Sequence, residues 1–209
     1  MTYKINKLEK RILELSYKHQ LSHLNSCLTS VNIIDKIYKK KGKNDIFILS
    51  NGHAGLSLYV VLEKYYKLDA EKLFLKHGVH PSRDLNNKIY CSTGSLGNGV
   101  GIGIGAAIAN KDKNIHILLS DGEMMEGSCW ECLRIAKENN LKNLFLYLNA
   151  NGLGAYRSID LKQLKKQIKS FGFSVKIFHT NMNKFKNLKG LQGHYKILSQ
   201  FKYEKYYKT

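Results

Sequence analysis

The chain has 209 residues, 43% of them hydrophobic, which is enough for one α/β domain with a proper core and too few for two large ones. Its formal net charge is +18, yet lysine carries nearly all of the excess, since the only arginines are Arg11, Arg83, Arg134 and Arg157. Base readout and bidentate phosphate contacts lean on arginine, so a general lysine and asparagine bias on a solvated surface is the better reading, and nucleic acid is not an expected partner. No uncharged apolar run reaches the length of about 18 residues needed to span a membrane. Met1–Glu14 alternates lysines with isolated apolar residues and lacks the core of a signal peptide. A cytoplasmic, membrane-free protein is expected, with Cys27, Cys91, Cys129 and Cys132 as reduced thiols.

In chain order, Ile5, Leu8, Ile12 and Leu15 repeat with helical spacing over Lys4–Lys18, and Val31, Ile34 and Ile37 do so over Ser30–Lys40. Asp45–Leu49 (DIFIL) reads as a short strand ending at Ser50-Asn51-Gly52, with a helix following over Ser57–Tyr66. Gly101–Ala106 fits the G-x-G-x-x-A dinucleotide fingerprint, but the segment before it, Cys91–Asn98, is polar and turn-like where the fingerprint needs a strand. Its small residues instead suit a helix that packs closely on its neighbours. Asn114–Leu119 is a strand running into Ser120-Asp121-Gly122, and Gly127–Asn139 a helix. Cys129-Trp130-Glu131-Cys132 falls within that helix and has no second cysteine pair, so it reads as core packing rather than a redox or zinc site. Asn143–Leu148 is a strand, Leu161–Ser170 a helix and Phe173–Phe178 a last strand. The alternation predicts an α/β fold, a parallel sheet with helices on both faces. One domain is expected over residues 1–209, with a short basic tail from about residue 180. From Leu161 onward the lysines face a single acid, Glu204, a surface suited to an acidic partner.

Ligands of such sheets sit beyond the carboxyl ends of the strands. Polar clusters follow three of the predicted strands, at 50–53, 120–123 and 149–153. Asp121 would stand at one strand tip and Asn151, thirty residues on, at the next. Gly122 allows close approach of a ligand, and a helix starting near Gly127 turns free amides toward an anion. A carboxylate, an amide oxygen and a backbone carbonyl form a hard oxygen set suited to Mg²⁺ or Ca²⁺. Magnesium completes its shell with phosphate oxygens and water, so the pattern implies a bound diphosphate.

These residues resemble the thiamine-diphosphate enzymes, whose Gly-Asp-Gly motif is closed by a later Asn-Asn; here it is Ser120-Asp121-Gly122 and Asn149-x-Asn151. Three further segments are similar to the transketolase branch. Leu49-Ser50-Asn51-Gly52-His53-Ala54 resembles its Leu-Ser-x-Gly-His-Ala, and Ser92-Thr93-Gly94-Ser95-Leu96-Gly97-Asn98-Gly99 its Ser-Thr-Gly-Ser-Leu-Gly-Gln-Gly. Asp121-Gly122-Glu123-Met124-Met125-Glu126-Gly127 with Trp130-Glu131 resembles its Asp-Gly-Glu-x-x-Glu-Gly-x-x-Trp-Glu. The resemblance runs from about His23 to Phe178. It departs at Ser120, which stands where the family has glycine, and at Leu24-Asn25-Ser26 after the first histidine.

The resemblance implies that Asp121 and Asn151 bind the metal by side chain and Leu153 by its carbonyl. It places Gly122, Asn151 and His53 at the diphosphate, and Gly94, Ser95 and Leu96 at the rings of thiamine diphosphate. It makes His23, His80 and, on a looser match, His194 substrate-channel histidines, and Glu126 an acid directed across an interface at a partner's catalytic glutamate. His19, His77, His116 and His179 carry no motif and are expected on the surface or satisfied in the core. That glutamate belongs to a separate pyrimidine-binding domain in the family, and nothing after Phe178 suffices to build one. The implied protein is therefore the N-terminal subunit of a split transketolase, moving a two-carbon ketol unit between sugars or sugar phosphates in a heterotetramer with a C-terminal subunit. Two alternatives stand beside it: a deoxyxylulose-phosphate-synthase-like ketol enzyme, and a non-catalytic subunit that keeps the fold.

Overall fold

A computed structural model describes residues 4–154, 157–185, 188 and 195–207. Helix α1 (Lys7–Lys18) opens on a capping box: the Asn6 side chain accepts from the Glu9 N–H, and the Glu9 carboxylate accepts from the Asn6 N–H. That cap starts the helix at Lys7 rather than at the expected Lys4. Helix α2 (Leu24–Tyr38) begins at Leu24, ahead of the expected Ser30, because Asn25, Ser26 and Thr29 are buried despite their polarity and interrupt the apolar period. Strand β1 (Ile46–Leu49) leads through a 3-10 turn (Gly52–Ala54) into helix α3 (Gly55–Tyr66). Helix α4 (Ala70–His77) follows, its N-terminus capped by the Asp69 side chain.

The remaining elements alternate as the sequence predicts. They are α5 (Asn98–Ala109), β2 (Ile115–Ser120), α6 (Gly127–Glu138), β3 (Leu144–Ala150), α7 (Leu161–Ser170) and β4 (Val175–His179). A last helix, α8 (Gln200–Tyr207), returns to α1, where Tyr17 and Tyr203 stack with ring centroids 4.5 Å apart. Among the described residues the sheet has four strands in the order β1-β2-β3-β4, all parallel.

Side chains alternate across the sheet and feed two cores. Phe47, Leu49 and Leu118 join Ile12, Leu28, Val31, Ile34, Val60 and Leu62 of α1, α2 and α3 on one face. Ile48, Ile117, Leu119, Leu146 and Leu148 join Val100, Ile104, Leu133, Leu164 and Ile168 of α5, α6 and α7 on the other. The small residues of α5 permit its close approach: a Cβ on Gly103 would lie 2.1 Å from Ile117 Cδ1. Cys129 and Cys132 are buried in this second core, and all four cysteines are free thiols. No helix among the described residues is long and apolar enough to cross a membrane.

Candidate functional site

The parallel strands aim the turns after β1, β2 and β3 at one place. Register pairs Ser120 with Asn149, and the ladder continues one residue further, the Asp121 N–H donating to the Asn149 carbonyl at 3.1 Å. This brings Asp121 to the Asn151 turn, where its Oδ2 accepts from the Gly152 N–H at 2.6 Å and its Oδ1 from the Gly122 N–H at 3.1 Å. Gly152 holds φ +82°, and the Asn151 side-chain oxygen closes an Asx turn by accepting from the Leu153 N–H at 2.9 Å. The thirty-residue spacing read from sequence is thus one strand–helix–strand unit that returns its second tip beside the first.

These groups open on a cavity of about 180 Å³ lined by Asp121, Gly122, Asn151 and Leu153 on the sheet side. His23, His53, His80 and Leu96 also line it, as do Asn51, Ser120 and Asn149 of the polar clusters marked in the sequence, with Asn25, Ser26, Gly154 and Tyr195 as lining residues that the sequence did not reveal. Gly94 is not among the lining residues, but a Cβ there would come 3.0 Å from the ring of His80, which is. Ser95 is exposed beside it. Glu126 caps the start of α6 outside the cavity, against Gly97, and its carboxylate accepts no hydrogen bond from a described residue. His194 lies outside the described residues. His116 is a satisfied core histidine between the Tyr147 hydroxyl at 3.0 Å and Asp45 at 3.2 Å, and His19 meets Glu71 at 2.8 Å. His77 lies 3.2 Å from Asp84, and His179 is exposed.

Electrostatics single out Asp121. Burial pushes its carboxyl up to about 6, against the pull of the Gly152, Asn151 and Gly122 amides. His23 adopts a left-handed backbone, φ +59°, just ahead of α2, with its ring 5.8 Å from that of His53. Burial, with His80 close by, lowers its pKa and favours the neutral imidazole.

Three further groups shape the site from behind. The Asn149 amide donates to Thr29 Oγ1 at 3.0 Å and Ser30 Oγ at 3.1 Å, fastening β3 to α2. Asn51 donates to Ser30 Oγ at 3.2 Å, but its buried Oδ1 has no partner among the described residues. Glu123, fully buried, accepts from Ser50, Gly97 and Ser120, and burial raises its pKa. The spacing Ser120-x-x-Glu123 is a capping-box signal that sequence reading could have used; Asn149 and Asn51 carry no local signal of their contacts.

A diphosphate and a divalent cation fit this arrangement. The donor set is hard oxygen, the buried carboxylate has only amide partners, and a residue lining the same cavity, Asn51, carries a buried acceptor without a partner among the described residues. No lysine or arginine is among the described lining residues, so in a chain of net charge +18 the cavity itself holds no fixed cation for a diphosphate.

Comparison with known proteins identifies the family and the fold. Residues 31–187 match the family described as "Transketolase, thiamine diphosphate binding domain". The chain is 28% identical over 193 residues to one of the named subunits of the apulose-4-phosphate transketolase of Phocaeicola vulgatus, covering 81% of this chain and 68% of that one. It is 32% identical over 178 residues to human transketolase, covering 72% of this chain and only 28% of the human protein. Among solved structures, transketolase from Leishmania mexicana superposes with a TM-score of 0.65 at 22% identity, over 83% of this chain and 32% of that one, which establishes the shared fold.

Proposed function

We propose, for a chain that belongs to the transketolase thiamine-diphosphate-binding-domain family, that it is the cofactor-holding subunit of a two-component transketolase. The observation that carries this reading is the meeting of Asp121, Asn151 and Leu153 in one cavity with His53, Leu96 and Gly122. In this proposal the Asp121 and Asn151 side chains and the Leu153 carbonyl hold Mg²⁺, or Ca²⁺ in its place. The cation would neutralise a diphosphate that no lysine or arginine among the described lining residues meets. Gly122, Asn151 and His53 bind the diphosphate, and Gly94, Ser95 and Leu96 stand against the cofactor's rings. Bound thiamine diphosphate supplies the carbon nucleophile and electron sink for breaking the carbon–carbon bond beside a ketose carbonyl. His23 and His80 hydrogen-bond the sugar and move a proton near neutral pH; the burial that keeps His23 neutral makes it an acceptor.

The need for a second polypeptide rests on size. A cavity of about 180 Å³ is smaller than the ~300–1,000 Å³ that encloses a small ligand. This chain then surrounds one end of the cofactor, and another surface covers the rest. The relative in P. vulgatus is itself named as one subunit of its transketolase, which supports the same reading. Glu126, half-buried outside the cavity without a hydrogen bond from a described residue, is consistent with it. The sugars handled are a ketose donor and an aldose acceptor, free or phosphorylated. Calorimetric titration of thiamine diphosphate in the presence of Mg²⁺ tests the core of the proposal. Binding should depend on the metal and vanish in Asp121→Ala; equal binding by that variant would refute the metal assignment.

A further inference from the structure

Ser120 and Glu123 stand at the two ends of a turn whose middle residues, Asp121 and Gly122, line the cavity. The Glu123 N–H donates to Ser120 Oγ at 3.3 Å, and the Ser120 N–H donates to Glu123 Oε2 at 2.8 Å. This is the reciprocal hydrogen-bond pattern of a capping box, here closing the turn that leads into the 3-10 turn Glu123–Met125. The same carboxylate reaches further: its Oε1 accepts from the Ser50 hydroxyl at 2.6 Å and from the Gly97 N–H at 3.2 Å. One fully buried carboxylate therefore ties the turn after β2 to the turn after β1 and to the residue that starts α5. Each tied residue has a cavity-lining neighbour: Asp121 beside Ser120, Asn51 beside Ser50 and Leu96 beside Gly97.

We propose that Glu123 is a positioning residue that sets the spacing of the cavity's walls, with Ser120 as its reciprocal partner. Glu123 does not line the cavity, so it acts through the residues it holds. There is little slack to replace it. A Cβ on Gly99 would lie 2.7 Å from Ser50 Oγ, and Gly97 is held at φ +83°, where a Cβ would strike Ser128 Oγ at 2.7 Å. The departure of Ser120 from the family's glycine gains a reason here: glycine would keep the amide bond to Glu123 but lose the returning oxygen. The inference rests on the cofactor reading above and adds to it the group that fixes the walls.

The test uses the full chain as wild type, Glu123→Gln, Ser50→Ala and the double variant, with Asp121→Asn as control. Two quantities are read: the Kd of thiamine diphosphate at saturating Mg²⁺, and amide exchange at Gly97 and Ser120 without ligand. Each single change should weaken binding about tenfold, in the range found for groups that orient metal ligands. The double variant should be no weaker than the worse single one, because both remove the same tie. Gly97 exchange should quicken in Glu123→Gln while the β2 and β3 amides stay protected. A purely structural role would lower the melting temperature and leave the Kd of the folded protein unmoved. Unchanged Kd values in both single variants, or losses that multiply in the double, overturn the positioning role even though Asp121→Asn still loses binding. If Asp121→Asn binds like wild type, or wild type does not bind, the cofactor reading fails and this inference falls with it. Should Glu123→Gln not fold, Ser50→Ala decides alone: a wild-type Kd there overturns the proposal.

Discussion

Burial makes a carboxyl group hold its proton more tightly than it does in water, and Asp121 is pushed up to about 6 in spite of the backbone amides that favour its charged form. In the ligand-free chain this shift contributes stability below the ordinary carboxylate range, and that contribution is lost as pH rises through about 6. Metal binding runs the other way, because a proton and a cation compete for the same oxygens. Mg²⁺-dependent binding of thiamine diphosphate should therefore be full near neutrality and weaken by up to about tenfold per unit as pH falls below the carboxyl's pKa. Titrations near neutral pH and at about pH 5 check this; equal affinities would show that Asp121 does not bind the metal. Sequence exposed such residues where a motif marks a strand tip, as it does for Asp121, Asn151 and His53. Asn25 and Ser26 enter from the start of α2, and Tyr195 from a segment far along the chain. Only tertiary packing brings them to the cavity, so no local pattern announces them.

Helix α5 offers a test of packing against propensity. Gly103 faces Ile117 so closely that an added Cβ would sit 2.1 Å from its Cδ1, whereas Gly105 has nothing within 4 Å. Gly103→Ala should cost about 1–3 kcal/mol through overpacking, while Gly105→Ala should gain about 0.5–1 kcal/mol from helix propensity. Denaturant midpoints of the two variants would move in opposite directions; a shift of the same sign in both would contradict this account of the glycines. Elements with a clean pattern were legible: the short apolar strands, α7 at its observed bounds and the glycine-rich α5. Two helices were not. In α4 only Ala70 and Leu73 are buried, Phe74 is partly so and Leu75 is largely exposed, so the apolar stripe is a single turn long. In α8 docking is aromatic, through Tyr203 on Tyr17 and Tyr206 on Phe185, which an aliphatic period does not register.

Across the whole molecule, the charge of +18 surrounds a cavity whose described lining holds no lysine or arginine. On the proposed reading, the basic surface would draw anionic ligands inward without fixing them, and the fixing would be left to the metal. On the two-component reading, the purified chain should show no measurable ketol transfer, and activity should appear on adding the pyrimidine-binding subunit. A general acid–base group supplied by that second chain is worth roughly 10²–10⁴-fold in rate, so turnover by the chain alone would refute the split. The free cysteines carry a consequence of their own. Burial pushes the thiols of Cys27 and Cys129 up to about 12, that of Cys91 to about 11, and Cys132 in the same direction. Alkylating reagents attack the thiolate, which is scarce at all four positions while the fold is closed. Native protein should then pass through an alkylation pulse unmarked, and each molecule that takes up label dates a moment at which its core stood open.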